Sequence, residues 1–168
     1  MSVFFSIPIF ALAAVLNATV MPEFRLGGGA PDLVFLLVVC WALLSDLPSA
    51  LVWAVVGGVM QDLLSVAPVG ASSLGLVLVV FAIDSLIAPD DRVSLVAPPI
   101  AAMVGTALYH IVLLMVLRLF GDIAVPVGQG LFYVTLPVMI YNALLILPTL
   151  RVVAAVYRGL QPQRTRLE

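Results

Sequence analysis

Long apolar stretches separated by short polar breaks dominate the chain and predict an all-α integral membrane protein. The breaks carry proline, glycine, serine and most of the charged residues. Three of the stretches, the second to the fourth, are shorter than the roughly 20 residues that a helix needs to cross the hydrocarbon core of a bilayer. The predicted helices cover about residues 3–20, 31–44, 49–64, 72–87, 93–119 and 129–156.

We expect these helices to be six crossings in one bundle, forming a single membrane domain over residues 1–168. The short stretches are divided by strong breaks, whose sequences are SDLPS, SVAPVGASS and APDDRVS. A re-entrant pair in place of the second and third crossings is the alternative, and it also keeps both termini on one side. Pro137 and Pro148 predict kinks inside the sixth helix.

Composition excludes several classes of protein. Hydrophobic residues make up 64% of the chain and charged residues 10%, whereas soluble domains are about half apolar and a quarter charged. A net charge of −2 without a basic cluster argues against nucleic-acid binding. One cysteine, Cys40, rules out an intramolecular disulfide, and we interpret it as a small lipid- or helix-facing residue. We predict no metal or cofactor, because one His and one Cys are too few ligands.

The arginines predict the orientation, since cytoplasmic loops are enriched in basic residues. Placing the C-terminus inside leaves only Arg25 and Arg118 on the outer side. With six crossings, both termini are then cytoplasmic, and residues 157–168 form a cytoplasmic tail. The inner arginines are Arg92, Arg151, Arg158, Arg164 and Arg166.

The third predicted helix carries the most informative polar residues. Small and polar residues share one face there, which is typical of a helix packed closely on protein. An intramembrane acid such as Asp62 is by default a candidate ion, proton or substrate site. We predict instead that Asp62 fixes the turn through Pro68 and Gly70, because no second acid or base lies at a matching depth to form a relay. The face consists of Gly57, Gly58, Gln61, Asp62 and Ser65.

The fifth predicted helix repeats the small-residue pattern, with Ala101, Gly105 and Tyr109 in line. His110 lies beside them and is predicted to be a neutral hydrogen-bond partner rather than a titrating group. Polar residues of the first and sixth helices are predicted to form hydrogen bonds between helices. They are Asn17, Tyr133, Tyr141 and Asn142. No catalytic motif is found, so we predict that the protein is not an enzyme.

Two segments resemble the MreD family, the rod-shape-determining membrane proteins of bacteria. The sequence GGVMQDLLSVAPVG, residues 57–70, is similar to the family's most characteristic segment, and PDLVFLLVVCWALL, residues 31–44, to the segment before it. The resemblance covers most of the chain. Its motif residues, together with Gln61 and Gly105 from the polar and small-residue faces, are structural or partner-binding candidates. Those candidates are Pro31, Asp32, Gly57, Gly58, Gln61, Asp62, Pro68, Gly70 and Gly105.

The resemblance implies a non-catalytic scaffold of the cell-elongation complex in the bacterial inner membrane. MreD-like proteins associate with the single-span protein MreC. Through MreC they connect to the MreB filament and to the peptidoglycan synthases, a SEDS-type glycosyltransferase and a class B penicillin-binding protein. The implied fold is similar to that of the substrate-binding subunits of energy-coupling-factor transporters.

Two functions from different classes are therefore alternative hypotheses for this chain. A scaffold would use the small-residue faces of the third and fifth helices for partner helices, because these faces exceed what six helices need for their own packing. A transporter subunit would instead place Gln61, Asp62, His110 and Asn142 around one cavity.

Overall fold

The computed structural model describes residues 2–25, 28–65, 67–120 and 131–160, and within these the chain is helical without a strand. The prediction of six helices in an all-α fold is confirmed for this part of the chain. Short 3-10 helices follow α1 and α4, and a π-helical turn, Leu131–Thr135, precedes α6. The helices are α1 Ser2–Thr19, α2 Leu33–Leu44, α3 Leu47–Asp62, α4 Ala71–Leu86, α5 Ala97–Phe120 and α6 Leu136–Leu160.

The short helix α2 lies at the centre of the bundle. It packs against all five other helices, and these follow one another around it in the order α1, α3, α4, α5, α6. Nine of the 12 residues of α2 are buried, which explains why its sequence is apolar on every face. Cys40 is one of them, with its Sγ 3.9 Å from the carbonyl oxygen of Ile146, so it faces a helix rather than lipid.

The ends of several helices follow from local sequence. Asp32 caps α2, because its carboxylate accepts a hydrogen bond from the N–H of Phe35 at 3.0 Å. Gly70, just before α4, has a φ of 101°, a left-handed conformation that only glycine adopts without strain. The fifth helix begins at Ala97 rather than near residue 93, and Pro98 and Pro99 occupy its first turn, where a missing N–H leaves no bond unmade.

The sixth helix differs most from the sequence-based prediction. Pro148 lies inside α6, but Pro137 lies at its second position, directly after the π-helical turn. The prediction that Pro137 kinks the interior of this helix is therefore wrong. The helix also runs to Leu160, so the first residues of the predicted tail are helical. The predicted start at Gln129 and the arginines Arg164 and Arg166 lie outside the described residues.

An aromatic cluster joins four helices at the end of the bundle where α2 stops and α3 begins. The rings of Trp41 and Trp53 stack with centroids 3.7 Å apart. Phe10 packs edge-on against Trp53, and Tyr157 packs edge-on against Trp41. Edge-on contacts such as these two stabilise aromatic pairs beyond the burial of their area. The polar residues of the bundle gather at its opposite end.

Candidate functional site: a polar layer across the bundle

Asp32 is the centre of a hydrogen-bonded cluster that joins three helices. Its Oδ1 accepts from the Nδ2 of Asn17 on α1 at 2.8 Å, and its Oδ2 accepts from the Nε2 of Gln61 on α3 at 3.0 Å. The Oδ1 of Asn17 in turn accepts from the N–H of Leu33 at 2.9 Å. With the Phe35 N–H, the carboxylate holds three donors, which is how a half-buried acid is stabilised in a bilayer.

The same cluster continues into α5 and α6 through Asn142. The Oδ1 of Asn142 accepts from the N–H of Asp32 at 3.2 Å, and its Nδ2 donates to the Oγ1 of Thr106 at 3.0 Å. Thr106 donates to the carbonyl of Ala102 one turn earlier in α5. Asn142 and Thr106 are fully buried. Because an unpaired amide would be costly there, this chain of bonds fixes how α6 and α5 sit against α2.

Asp62 holds the beginning of α4. Its carboxylate accepts from the N–H of Gly70 at 2.7 Å and from the N–H of Ser72 at 3.1 Å. One N–H belongs to the N-cap residue Gly70 and the other to the first turn of α4, and N–H groups at a helix start have no partners within the helix. Asp62 is only 2% exposed, so the helix start supplies the donors that its charge requires. The Ser72 hydroxyl accepts from the Tyr109 hydroxyl at 3.0 Å, which extends the contact to α5.

We call this set of side chains the polar layer, because it crosses the bundle near one end and draws on all six helices. Its members are Asn17, Asp32, Gln61, Asp62, Ser72, Thr106, Tyr109 and Asn142. Each of these side chains makes at least one hydrogen bond, whereas the buried acceptor Oε1 of Gln61 has no partner among the described residues. The arrangement therefore suits a fixed joint between helices better than proton transfer or nucleophilic chemistry.

The loop before Asp32 is attached to the start of α6. The N–H of Gly28 donates to the carbonyl of Tyr133 at 3.1 Å. A Cβ at Gly29 would lie 2.6 Å from the carbonyl oxygen of Val134, so only glycine fits there. The Tyr141 hydroxyl donates to the carbonyl of Phe24 at 2.6 Å. These contacts join the described residues on either side of positions 26 and 27 to the π-helical turn and to α6.

The glycines of α3 and α5 are covered by other helices of the same bundle. Gly58 lies against the backbone of Ser73, and a Cβ there would overlap the N and Cα of that residue. Gly57 lies against Phe10, and Gly105 lies against Val79 and Phe35. The expectation that these small-residue faces exceed what internal packing needs is therefore wrong for all three glycines. Because these glycines have no side chain, α1, α2 and α4 can approach α3 and α5 closely.

Other predicted residues fall into place around the layer. Pro31 is buried beside Asp32, and the carbonyl of Pro68 accepts from the N–H of Ala71. His110 makes a 2.9 Å hydrogen bond with Thr135 of the π-helical turn. The expectation that no second acid lies at the depth of Asp62 is wrong, since Asp32 contacts the neighbouring Gln61.

Sequence reasoning recognised Asp32 only as part of a motif and missed it as the centre of the cluster. The signal was available, since Asp32 directly precedes an unbroken apolar run, as an N-cap does. Ser72 was also missed as a partner of Asp62, although the fourth helix was predicted to begin there. Its partner Asp62 lies ten residues earlier, a separation that no helical periodicity connects.

Two surface cavities have no part in the polar layer. One, of about 190 Å³, lies between α4 and α5 and is lined by apolar residues such as Val79, Ile83 and Leu108. The other, of about 390 Å³, lies against the start of α6 beside Tyr133 and Leu144. Neither is lined by the four side chains proposed for a transporter site, Gln61, Asp62, His110 and Asn142.

Comparison with protein families decides what kind of protein carries this layer. The family model described as rod shape-determining protein MreD matches residues 1–159, which is essentially the whole chain. The chain belongs to the MreD family. No curated protein and no solved structure matches it. The resemblance noted in two sequence segments is thus confirmed over almost the full length.

Membership in the MreD family assigns the protein to a membrane and to the determination of rod shape within the MreBCD system. The family is one of shape-determining structural proteins. The two segments that resemble MreD supply both acids of the polar layer, Asp32 and Asp62. In this MreD-family chain, the characteristic motif residues therefore coincide with the joint between the helices.

Membrane character is also visible in the helices themselves. Two helices within the described residues are long and apolar enough to cross a bilayer, over residues 97–120 and 132–159. Three further apolar helices, residues 6–19, 33–44 and 71–86, are shorter than that. Exposed large apolar side chains cover the outside of the bundle, for example Leu12, Leu78 and Leu144. This distribution suits a lipid solvent rather than water.

Proposed function

We propose that this protein is a non-catalytic membrane scaffold of the bacterial cell-elongation complex. In this proposal it binds an MreC-type bitopic protein, which links the MreB filament to the peptidoglycan synthases. The single observation that carries the proposal is the MreD family match over residues 1–159. The polar layer supports it, because side chains that are bonded to one another hold a fixed shape for partners.

The proposed topology has six crossings with both termini cytoplasmic. One end of every helix then faces outward, and the polar layer lies near the outer ends of α2, α3 and α4. The six outer ends are at Thr19, Leu33, Asp62, Ala71, Phe120 and Leu136. Arg151 and Arg158 are exposed near the C-terminal end of α6, on the opposite side. Arginines at the cytoplasmic end of a helix are the usual arrangement, since they lie beside anionic lipids.

Partner helices must bind outside the small-residue faces, because the glycines there are already covered. The outer half of α6 is our candidate surface. Leu136, Ile140 and Leu144 form a row at a spacing of four residues, and each is at least 48% exposed. The row borders the cavity of about 390 Å³, into which side chains of a partner helix could pack.

Co-purification in a mild detergent tests the proposal. We expect the tagged protein to carry an MreC-type protein with it, identified by mass spectrometry. Replacing Ile140 and Leu144 with alanine should reduce that recovery severalfold, whereas the same change at Leu78 and Phe81 of α4 should not. These control residues are also lipid-facing, at 40% and 43% exposure.

The outcomes separate the two functions. Capture of an ATPase module in place of an MreC-type protein would favour the transporter subunit, whose fold remains our expected structural analogue. Recovery of neither would contradict the scaffold. Equal recovery from both double variants would keep the scaffold but move the partner surface away from α6.

A further inference from the structure

The lipid-facing sides of the bundle have different lengths. Helices α3 and α4 have 16 residues each, so each rises about 24 Å. Helices α5 and α6 have 24 and 25 residues and rise about 36 and 38 Å. The hydrocarbon core of an ordinary bilayer is about 30 Å thick. One side of the protein is therefore too short for the bilayer, and the other is long enough to span it.

Fixed polar groups keep the short side from extending. At the inner end, exposed Asp46 begins α3, and Asp84 near the end of α4 pairs with Arg92 at 2.9 Å. At the outer end, the carboxylate of Asp62 accepts hydrogen bonds from the start of α4. These bonds keep the turn between the two helices from becoming helical, so neither helix can lengthen there. Tilting would shorten the span of these helices further.

The turns at both ends of the short side are built for a water-poor boundary. Leu63, Leu64 and Val69 of the outer turn are at least half exposed, although they are large and apolar. Much of the turn's backbone is bonded internally, since Leu63 and Leu64 donate to carbonyls of α3. At the inner end, Leu86 is 77% exposed, and Arg92 bonds the free carbonyl of Ile87. Internal hydrogen bonds of this kind lower the cost of placing a turn at the edge of the hydrocarbon.

We propose that the α3–α4 side of this protein thins the adjacent bilayer. Lipid around a short hydrophobic surface adapts to it when the surface itself cannot lengthen. The preferred lipid on this side therefore has shorter acyl chains than the lipid beside α6. The proposal rests on the six-crossing topology proposed above and does not depend on the scaffold function.

Tryptophan quenching by brominated lipids tests the proposal on the purified full-length protein. Leu78→Trp places a reporter at the middle of α4, and Leu144→Trp places one near the middle of α6, at positions 40% and 70% exposed. The native Trp41 and Trp53 are at most 3% exposed, so the unsubstituted protein supplies the background. The bilayers mix phosphatidylcholines with fourteen-carbon and eighteen-carbon monounsaturated chains, and either lipid is brominated in turn.

We expect the α4 reporter to show an about twofold enrichment of the shorter lipid, the scale of a modest mismatch cost. The α6 reporter should show none, or the reverse. Equal ratios at the two reporters would overturn the proposal, as would enrichment of the longer lipid at α4. Phe81→Trp exchanges one exposed aromatic ring for another and repeats the α4 measurement if Leu78→Trp folds poorly.

Discussion

Gly58→Ala tests directly whether close contact between α3 and α4 holds the bundle together. The added Cβ would overlap the backbone N and Cα of Ser73, so the two helices must move apart. Overpacking of this kind costs about 1–3 kcal/mol. Alanine also favours the helix over glycine by about 0.5–1 kcal/mol, which offsets part of that cost. The difference between these two effects spans about 0–2.5 kcal/mol. Because the obstacle is backbone, we expect a net loss in the upper part of that range, about 1–2 kcal/mol.

Two other glycines provide graded controls for this change. At Gly57 the nearest obstacle is the ring of Phe10, at 2.9 Å, and a side chain can shift more easily than backbone. At Gly159 nothing lies within 4 Å, so alanine should be neutral or slightly stabilising. The expected order of destabilisation is Gly58→Ala, then Gly57→Ala, then Gly159→Ala.

Thermal unfolding in detergent, followed by the fluorescence of the buried Trp41 and Trp53, measures the effect. A loss of about 1–2 kcal/mol corresponds to a fall of about 2–8 °C in Tm for a chain of this size. Gly58→Leu should be far more damaging and should lower the amount of protein in the membrane. If Gly58→Ala proved as stable as Gly159→Ala, the close approach of α3 and α4 would not be a source of stability, and the reasoning would fail.

Three further predictions concern the acids and the topology. Asp32→Ala should lower the free energy of unfolding by about 2 kcal/mol or more, measured by thermal unfolding, because it leaves donors unpaired. Asp46 at the start of α3 makes no capping bond with its side chain, so Asp46→Ala should be nearly neutral. Asp62→Asn should reduce membrane level and rescue of rod shape much less than Asp62→Leu, because leucine leaves two N–H donors unpaired at about 1–3 kcal/mol each. Equal loss of rescue by both variants at normal membrane levels would contradict a structural role. A Gln163→Cys, Cys40→Ala protein should resist an impermeant thiol reagent in intact cells, and efficient labelling would overturn the cytoplasmic tail.

The apolar pattern was sufficient to predict helices because a bilayer leaves little choice. Each apolar run must satisfy its own backbone hydrogen bonds, so runs such as residues 33–44 and 71–86 form helices whatever their neighbours are. The polar breaks between them mark where each helix ends. Local chemistry explains details such as the capping of α2 by Asp32, which needs only the next three residues.

Tertiary structure decided which polar residues meet. Asp32 and Asn142 are 110 positions apart, and their bond depends on how α2 and α6 are rotated and how far each is shifted along its axis. The direction of the small-residue faces had the same origin. Glycine at residue 58 shows that something approaches closely, but only the packing of α4 shows that the approaching group is Ser73 of the same chain.

The sequence by itself therefore determined the helices, their apolar surfaces and the family. The central place of α2, the polar layer and the grouping of the short helices α3 and α4 on one lipid-facing side came only from the fold. The physical reason is the range of the interactions involved. Helix formation and capping act between residues up to four apart. Helix packing in lipid depends on fitting whole surfaces together, and many sequences of similar composition could satisfy it in different arrangements.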